Sequence, residues 1–106
     1  MTTDEVLDFL EEDCHQDHVG LWQLIHAAQL DLGASDPTTT REVALQLARG
    51  LICERGMQVG FPADDGRHFK PWKLTPEQAL RRIEDEWIAL GREPNIGEVA
   101  WFTSEP

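Results

Sequence analysis

The sequence predicts an α+β chain: three N-terminal helices, then a two-stranded antiparallel ribbon with a fourth helix inserted between its strands. Three observations predict it. Apolar residues recur at helical spacing through three successive stretches before residue 56. The period then drops to two at Met57, Val59 and Phe61. A fresh helix start at Thr75-Pro76 separates this run from a second alternating one at Val99, Trp101 and Thr103.

The first helix begins at a capping box, since Thr2 and Glu5 have the spacing for reciprocal side chain to backbone hydrogen bonds. Val6, Phe9, Leu10 and Asp13 share one stripe, flanked by Leu7 and Cys14, with Asp4, Asp8, Glu11 and Glu12 on the other side. Glu11 to Asp13 lie near the negative end of this helix, where carboxylates cost stability. They read either as a plain solvated face or as a surface kept for binding.

The second helix is expected from near His18 to Leu32, with Leu21, Ile25, Ala28 and Leu32 as its stripe, widened by Trp22 and Leu24, and Gly33 as its stop. In the third, Asp36 caps and Pro37 takes the first position, where its missing N–H is harmless. Val43, Leu47 and Leu51 are its expected buried side, with Ala44, Ala48 and Ile52 beside them, and Gly56 ends it. The first strand stops at Pro62, and residues 63 to 74 form a loop with Gly66 and Pro71 as turn residues. Thr75 caps the fourth helix with Gln78 at capping-box spacing; Ala79, Ile83, Trp87 and Leu90 are its apolar face and Gly91 its stop.

Three helices followed by a two-stranded ribbon resemble the winged helix-turn-helix arrangement. Gly33 to Pro37 has a suitable length for its helix-helix corner. Residues 63 to 97 would expand the wing. Gly20-Leu21-Trp22, Glu54-Arg55-Gly56 and Val99-Ala100-Trp101-Phe102 also resemble segments of small bacterial proteins of unassigned function. That resemblance implies a winged-helix-like fold and no activity.

Charge narrows the function. The first forty residues hold nine carboxylates and no Lys or Arg, so about −9 of the formal −11 lies there. Such a surface repels nucleic acid and anionic membranes and attracts basic proteins. At 106 residues the chain reads as one domain, residues 1–106, with no membrane-spanning run. The acidic beginning, MTTDEVLDFLEED, is unlike a secretory signal, and Cys14 and Cys53 suit free thiols in a reducing cytoplasm.

The chemical motifs are sparse. Cys14-His15-Gln16-Asp17-His18 is the one local cluster of metal-type ligands, but no second half-site accompanies it, so no metal or other cofactor is expected. Neither cysteine sits in a glycine-rich turn, and Asp64-Asp65 and Glu84-Asp85-Glu86 do not form a convergent acid pair. Arg82 with Glu86 and Arg81 with Asp85 read as surface ion pairs.

The expectation is a noncatalytic module that binds a basic protein through Asp4, Asp8, Glu11, Glu12 and Asp17. Trp72, in a loop between basic residues, is either a plug beneath the insertion or an interface anchor. An immunity-type inhibitor covering the cationic active site of a toxin is its sharpest form. The alternative is a DNA-binding regulator using Arg41 and Arg49, with Arg55 nearby, and Arg67 and Lys70 of the wing. Glu42 and Glu54 beside those arginines weigh against it, as phosphate contacts need unopposed cations.

Overall fold

The computed structural model describes residues 1–65 and 67–104; Gly66, expected as a turn residue, lies outside them. Helix α1 (Thr3–Gln16) starts as its capping box dictates. The Thr2 hydroxyl accepts from the Glu5 N–H at 3.2 Å, and the Glu5 carboxylate accepts from the Thr2 N–H at 2.8 Å. Its buried side is Val6, Leu7, Leu10 and Cys14, whereas Phe9 is 62% exposed. The expected stripe is therefore rotated: Leu7, Leu10 and Cys14 run at i, i+3 and i+7 down its centre, and Phe9 falls off its edge.

The expected start of the second helix near His18 is displaced to Leu21. Val19 and Gly20 form a two-residue strand, β1, and α2 (Leu21–Leu30) begins directly after it. Gly33 closes the end of α2 in a left-handed conformation (φ 75°), with the Ala34 N–H donating to the Ala28 carbonyl at 2.9 Å. Helix α3 (Pro37–Arg49) has the expected cap, Asp36 accepting from the Thr39 N–H at 2.8 Å. It does not run on as an α-helix toward Gly56. Gly50–Glu54 form a π-helical turn, in which the Arg55 N–H reaches back to the Gly50 carbonyl at 3.0 Å. Packing accounts for the glycine: a Cβ at Gly50 would lie 2.6 Å from a Leu7 methyl of α1.

The remaining strands are β2 (Gln58–Pro62), β3 (Phe69–Pro71) and β4 (Trp101–Thr103), with α4 (Pro76–Leu90) between the last two. The sheet order is β1-β4-β2-β3, every pair antiparallel. The expected two-stranded ribbon is corrected to the centre of a four-stranded sheet. β2 and β4 pair as anticipated, Val59 opposite Phe102, while β1 and β3 add an edge on each side. The inserted fourth helix stands as expected. Thr75 accepts from the Gln78 N–H, and Ala79, Leu80, Ile83 and Trp87 face the core.

That core is one contiguous cluster drawn from all four helices and the sheet, with Leu21, Leu24, Leu47, Leu51, Ile83 and Phe102 fully enclosed. Trp22, expected to widen the apolar stripe of the second helix, is half-buried, and so are Trp101 and Val43. No helix among the described residues is long and apolar enough to cross a membrane.

The return from α4 to β4 carries backbone strain. Val99 has φ 73°, and the Ala100 N–H donates to the Glu98 carbonyl at 2.9 Å, making a three-residue turn around a buried β-branched residue. Such a conformation costs on the order of 1–3 kcal/mol and persists only where its surroundings enforce it. Here Arg92 grips the Glu98 carboxylate through both Nη atoms, at 2.7 and 2.8 Å, and the Asn95 N–H donates to the same group at 2.7 Å.

Arg92 chiefly, then Asn95, holds the Glu98 carboxyl down to about 2 from 4.5. A carboxyl depressed by folding stabilises above its unfolded value and loses that contribution as pH falls through the folded one. The melting temperature of the native chain should thus exceed that of Glu98→Gln at neutral pH. Circular-dichroism melts should show the gap closing between pH 4.5 and about 2. A gap independent of pH would remove the ionic clamp.

Candidate functional site

The carboxylates singled out in the sequence lie along α1 and just past its end. Asp4, Asp8 and Glu12 are exposed, and Glu11 is half-buried. Asp8 and Glu11 are not free. Arg55, at the close of the π-helical turn, places one Nη1 at 2.7 Å from Asp8 and 2.9 Å from Glu11. This contact, with His15 adding at 3.5 Å, keeps the Glu11 carboxyl below its usual range. Two of the five expected binding carboxylates therefore tie α1 to the end of α3. Sequence reading missed the clasp because its partners are 44 and 47 positions apart.

The other three face solvent. Asp4 has no cationic partner among the described residues, and Glu12 takes only the Gln16 amide at 3.2 Å. Asp17 accepts from the neighbouring His18 N–H at 2.7 Å. Asp4 and Asp17 are separated by roughly 20 Å of helix, so these groups make a field rather than a convergent site. Asp13 and Asp31 are also exposed without a cation among the described residues. Structural pairing thus consumes part of the N-terminal charge and leaves the rest open.

Trp72 packs on the insertion. The Arg82 guanidinium of α4 lies 3.9 Å over its ring, Phe61 of β2 stands 6.1 Å away, and its N–H extends the β2 edge by donating to the Val59 carbonyl. The half-buried indole covers the core from outside, and its Nε1 has no partner. Of the two expected roles, this position favours the plug.

The arginines of the DNA alternative are dispersed. Arg49 is held bidentately by Glu77 of α4, at 2.6 and 3.1 Å. Both line an open cleft of about 690 Å³ between α3 and α4, which Glu42, Arg81 and Glu84 also line. Helix α4 thus stands against the outer side of α3 and brings acids with it. Arg41 borders a different hollow, beside Trp87 and Arg92. Arg67 and Lys70 are exposed on the β2–β3 hairpin.

The Cys14–His18 cluster opens on a third cleft, where His15 and His18 meet Arg67, His68 and Phe69 of the hairpin. His18 stacks edge-on against Phe69 at 5.2 Å. The His68 backbone N–H first, then its ring and the Arg67 N–H, hold the Asp65 carboxyl low, and the Asp65 carboxylate in turn raises the His68 imidazole. The Cys14 thiol is pushed up to about 12, by burial first and then by Asp13 and Glu11. It is a protonated packing group at neutral pH, far from a nucleophilic thiolate. Among the described residues no three His, Cys, Asp or Glu side chains group as a metal site. No protein-family model, curated protein or solved structure matches the chain.

Proposed function

We propose that this chain is a noncatalytic, acidic protein-interaction module that binds a basic protein partner in the cytoplasm. In its sharpest form it is an immunity-type inhibitor that covers the cationic active site of a toxin such as a nuclease. The observation that carries the reading is the unspent charge of the N-terminal part. Asp4, Glu12, Asp13, Asp17 and Asp31 are all exposed, with no ion pair among the described residues. Uncompensated carboxylates accelerate encounter with a cationic surface and disfavour wrong partners.

The packed helix pair α2–α3 is the part of a winged-helix-like arrangement that this reading retains, put to protein binding rather than DNA binding. A major-groove role would require the outer side of α3, where Arg49 is neutralised and Glu42, Glu77 and Glu84 face the approaching phosphates.

The test is capture of partners by the native chain and by an Asp4→Lys/Glu12→Lys/Asp17→Lys variant, followed by titration with the purified partner. A basic protein should bind the native chain, more weakly as salt rises, and the variant should lose about tenfold or more in affinity. Equal binding by both chains, or retardation of duplex DNA at physiological salt, would overturn the reading.

A further inference from the structure

The groove between α1 and α2 holds the largest unexplained apolar exposure in the N-terminal half. Phe9 is 62% exposed and Leu30 82%, and both border one hollow of about 290 Å³ with Trp22 and His26. Trp22 and His26 meet edge to face, ring centres 5.3 Å apart, giving the hollow an aromatic wall. Single exposed apolar side chains are ordinary, but two beside a half-buried Trp in one concavity are the anatomy of an interface centre. The volume lies at the bottom of the range for small-molecule pockets, and the hollow is open, so it suits one or two side chains of a protein.

Its rim is anionic. Asp13 stands in the last turn of α1, and Asp31 caps the end of α2. Both carboxylates sit at the negative end of their helices, where they cost stability alone and add to the attraction for a cation. Neither has a cationic partner among the described residues. An apolar floor between two such carboxylates asks for an apolar stripe flanked by Lys or Arg. A second copy of this chain, nucleic acid and an anionic membrane all carry the wrong sign.

We infer that the α1–α2 groove is the docking site for an amphipathic helical segment of the basic partner. One apolar side chain of that segment seats between Phe9, Trp22 and Leu30, and its flanking cations meet Asp13 and Asp31. The inference rests on the protein-binding reading above and places its centre in this groove. Helix-in-groove recognition reads such a site through apolar anchors on one side of the docked helix.

A synthetic amphipathic Leu/Lys peptide, with a scrambled peptide of the same composition, is the probe. Amide chemical shifts should move at residues 9–13 and 22–31 with the amphipathic peptide, and far less with the scrambled one. Phe9→Ser/Leu30→Ser should weaken binding about tenfold. Asp13→Asn/Asp31→Asn should weaken it and flatten its salt dependence. Both variants change surface positions, so their melting temperatures serve as the folding control. Equal binding of the scrambled peptide, or shifts confined to the Asp4, Asp8 and Glu11 side, would overturn the groove and leave the acidic module standing. Absence of binding to either peptide, together with failure to capture any basic protein, would overturn both.

Discussion

Phe102→Ala is expected to destabilise the fold by about 3–5 kcal/mol, the usual cost of emptying a large buried aromatic site. Phe102 is fully enclosed on the central strand, opposite Val19 on one side and Val59 on the other. Its ring occupies the place where the sheet meets the helices, and neighbours fixed in a four-stranded register cannot collapse into the space. Domains of this size hold about 5–15 kcal/mol in total, so the loss should lower the melting temperature by about 15 °C or more. Phe9→Ala is the comparison, because its ring is 62% exposed. That change should fall within about 0.5 kcal/mol. Urea melts of the two variants decide the matter. Similar losses would mean that the α1 stripe has been assigned to the wrong side of the helix.

Gly60→Ala is the second large effect, although it adds a single methyl. Gly60 lies on β2 between Pro71 of β3 and Trp101 of β4. A Cβ there would stand 2.2 Å from the Lys70 carbonyl oxygen and 2.7 Å from the Pro71 Cα. Both are backbone atoms, so no rotamer change relieves the contact and β3 must move. Overpacking of this kind costs about 1–3 kcal/mol, and the loss of β3 would also release Trp72, whose N–H bonds to Val59 at 2.9 Å. Hydrogen exchange at the Trp72 amide should therefore accelerate more than the global loss of stability accounts for. At Gly50 the corresponding clash is with the methyls of Leu7, the far end of a side chain, and should be milder. Unchanged protection at Trp72 in Gly60→Ala would refute the close β2–β3 approach.

The helix starts were legible because capping is local chemistry. Thr2 with Glu5, Asp36 with Pro37, and Thr75 with Gln78 each carry their signal within four residues, and each forms the expected bonds. β2 was legible through its period of two, and β4 through the longer alternating run 99–103, of which only Trp101–Thr103 is strand and Phe102 rather than Trp101 is fully enclosed. β1 and β3 were not, since two or three residues have no period and their pairing partners lie more than eighty and about ten positions away. The rotation of α1 escaped for a related reason. Val6, Leu7, Phe9, Leu10 and Cys14 fit two overlapping stripes, and only the elements packed against the helix choose between them.

The candidate site divides along the same line. Excess charge in the first forty residues is a sum over composition, so the amino-acid sequence by itself determined the sign of the field around the N-terminal part. It also determined the α+β class and the inserted fourth helix, because periodicity and caps are read from neighbouring residues. Tertiary structure alone decided which carboxylates remain available: Arg55 closes Asp8 and Glu11, while Asp13 and Asp31 border one groove together with Phe9 and Leu30. Charge accumulates additively along a chain, but pairing and exposure depend on distances that only folding sets.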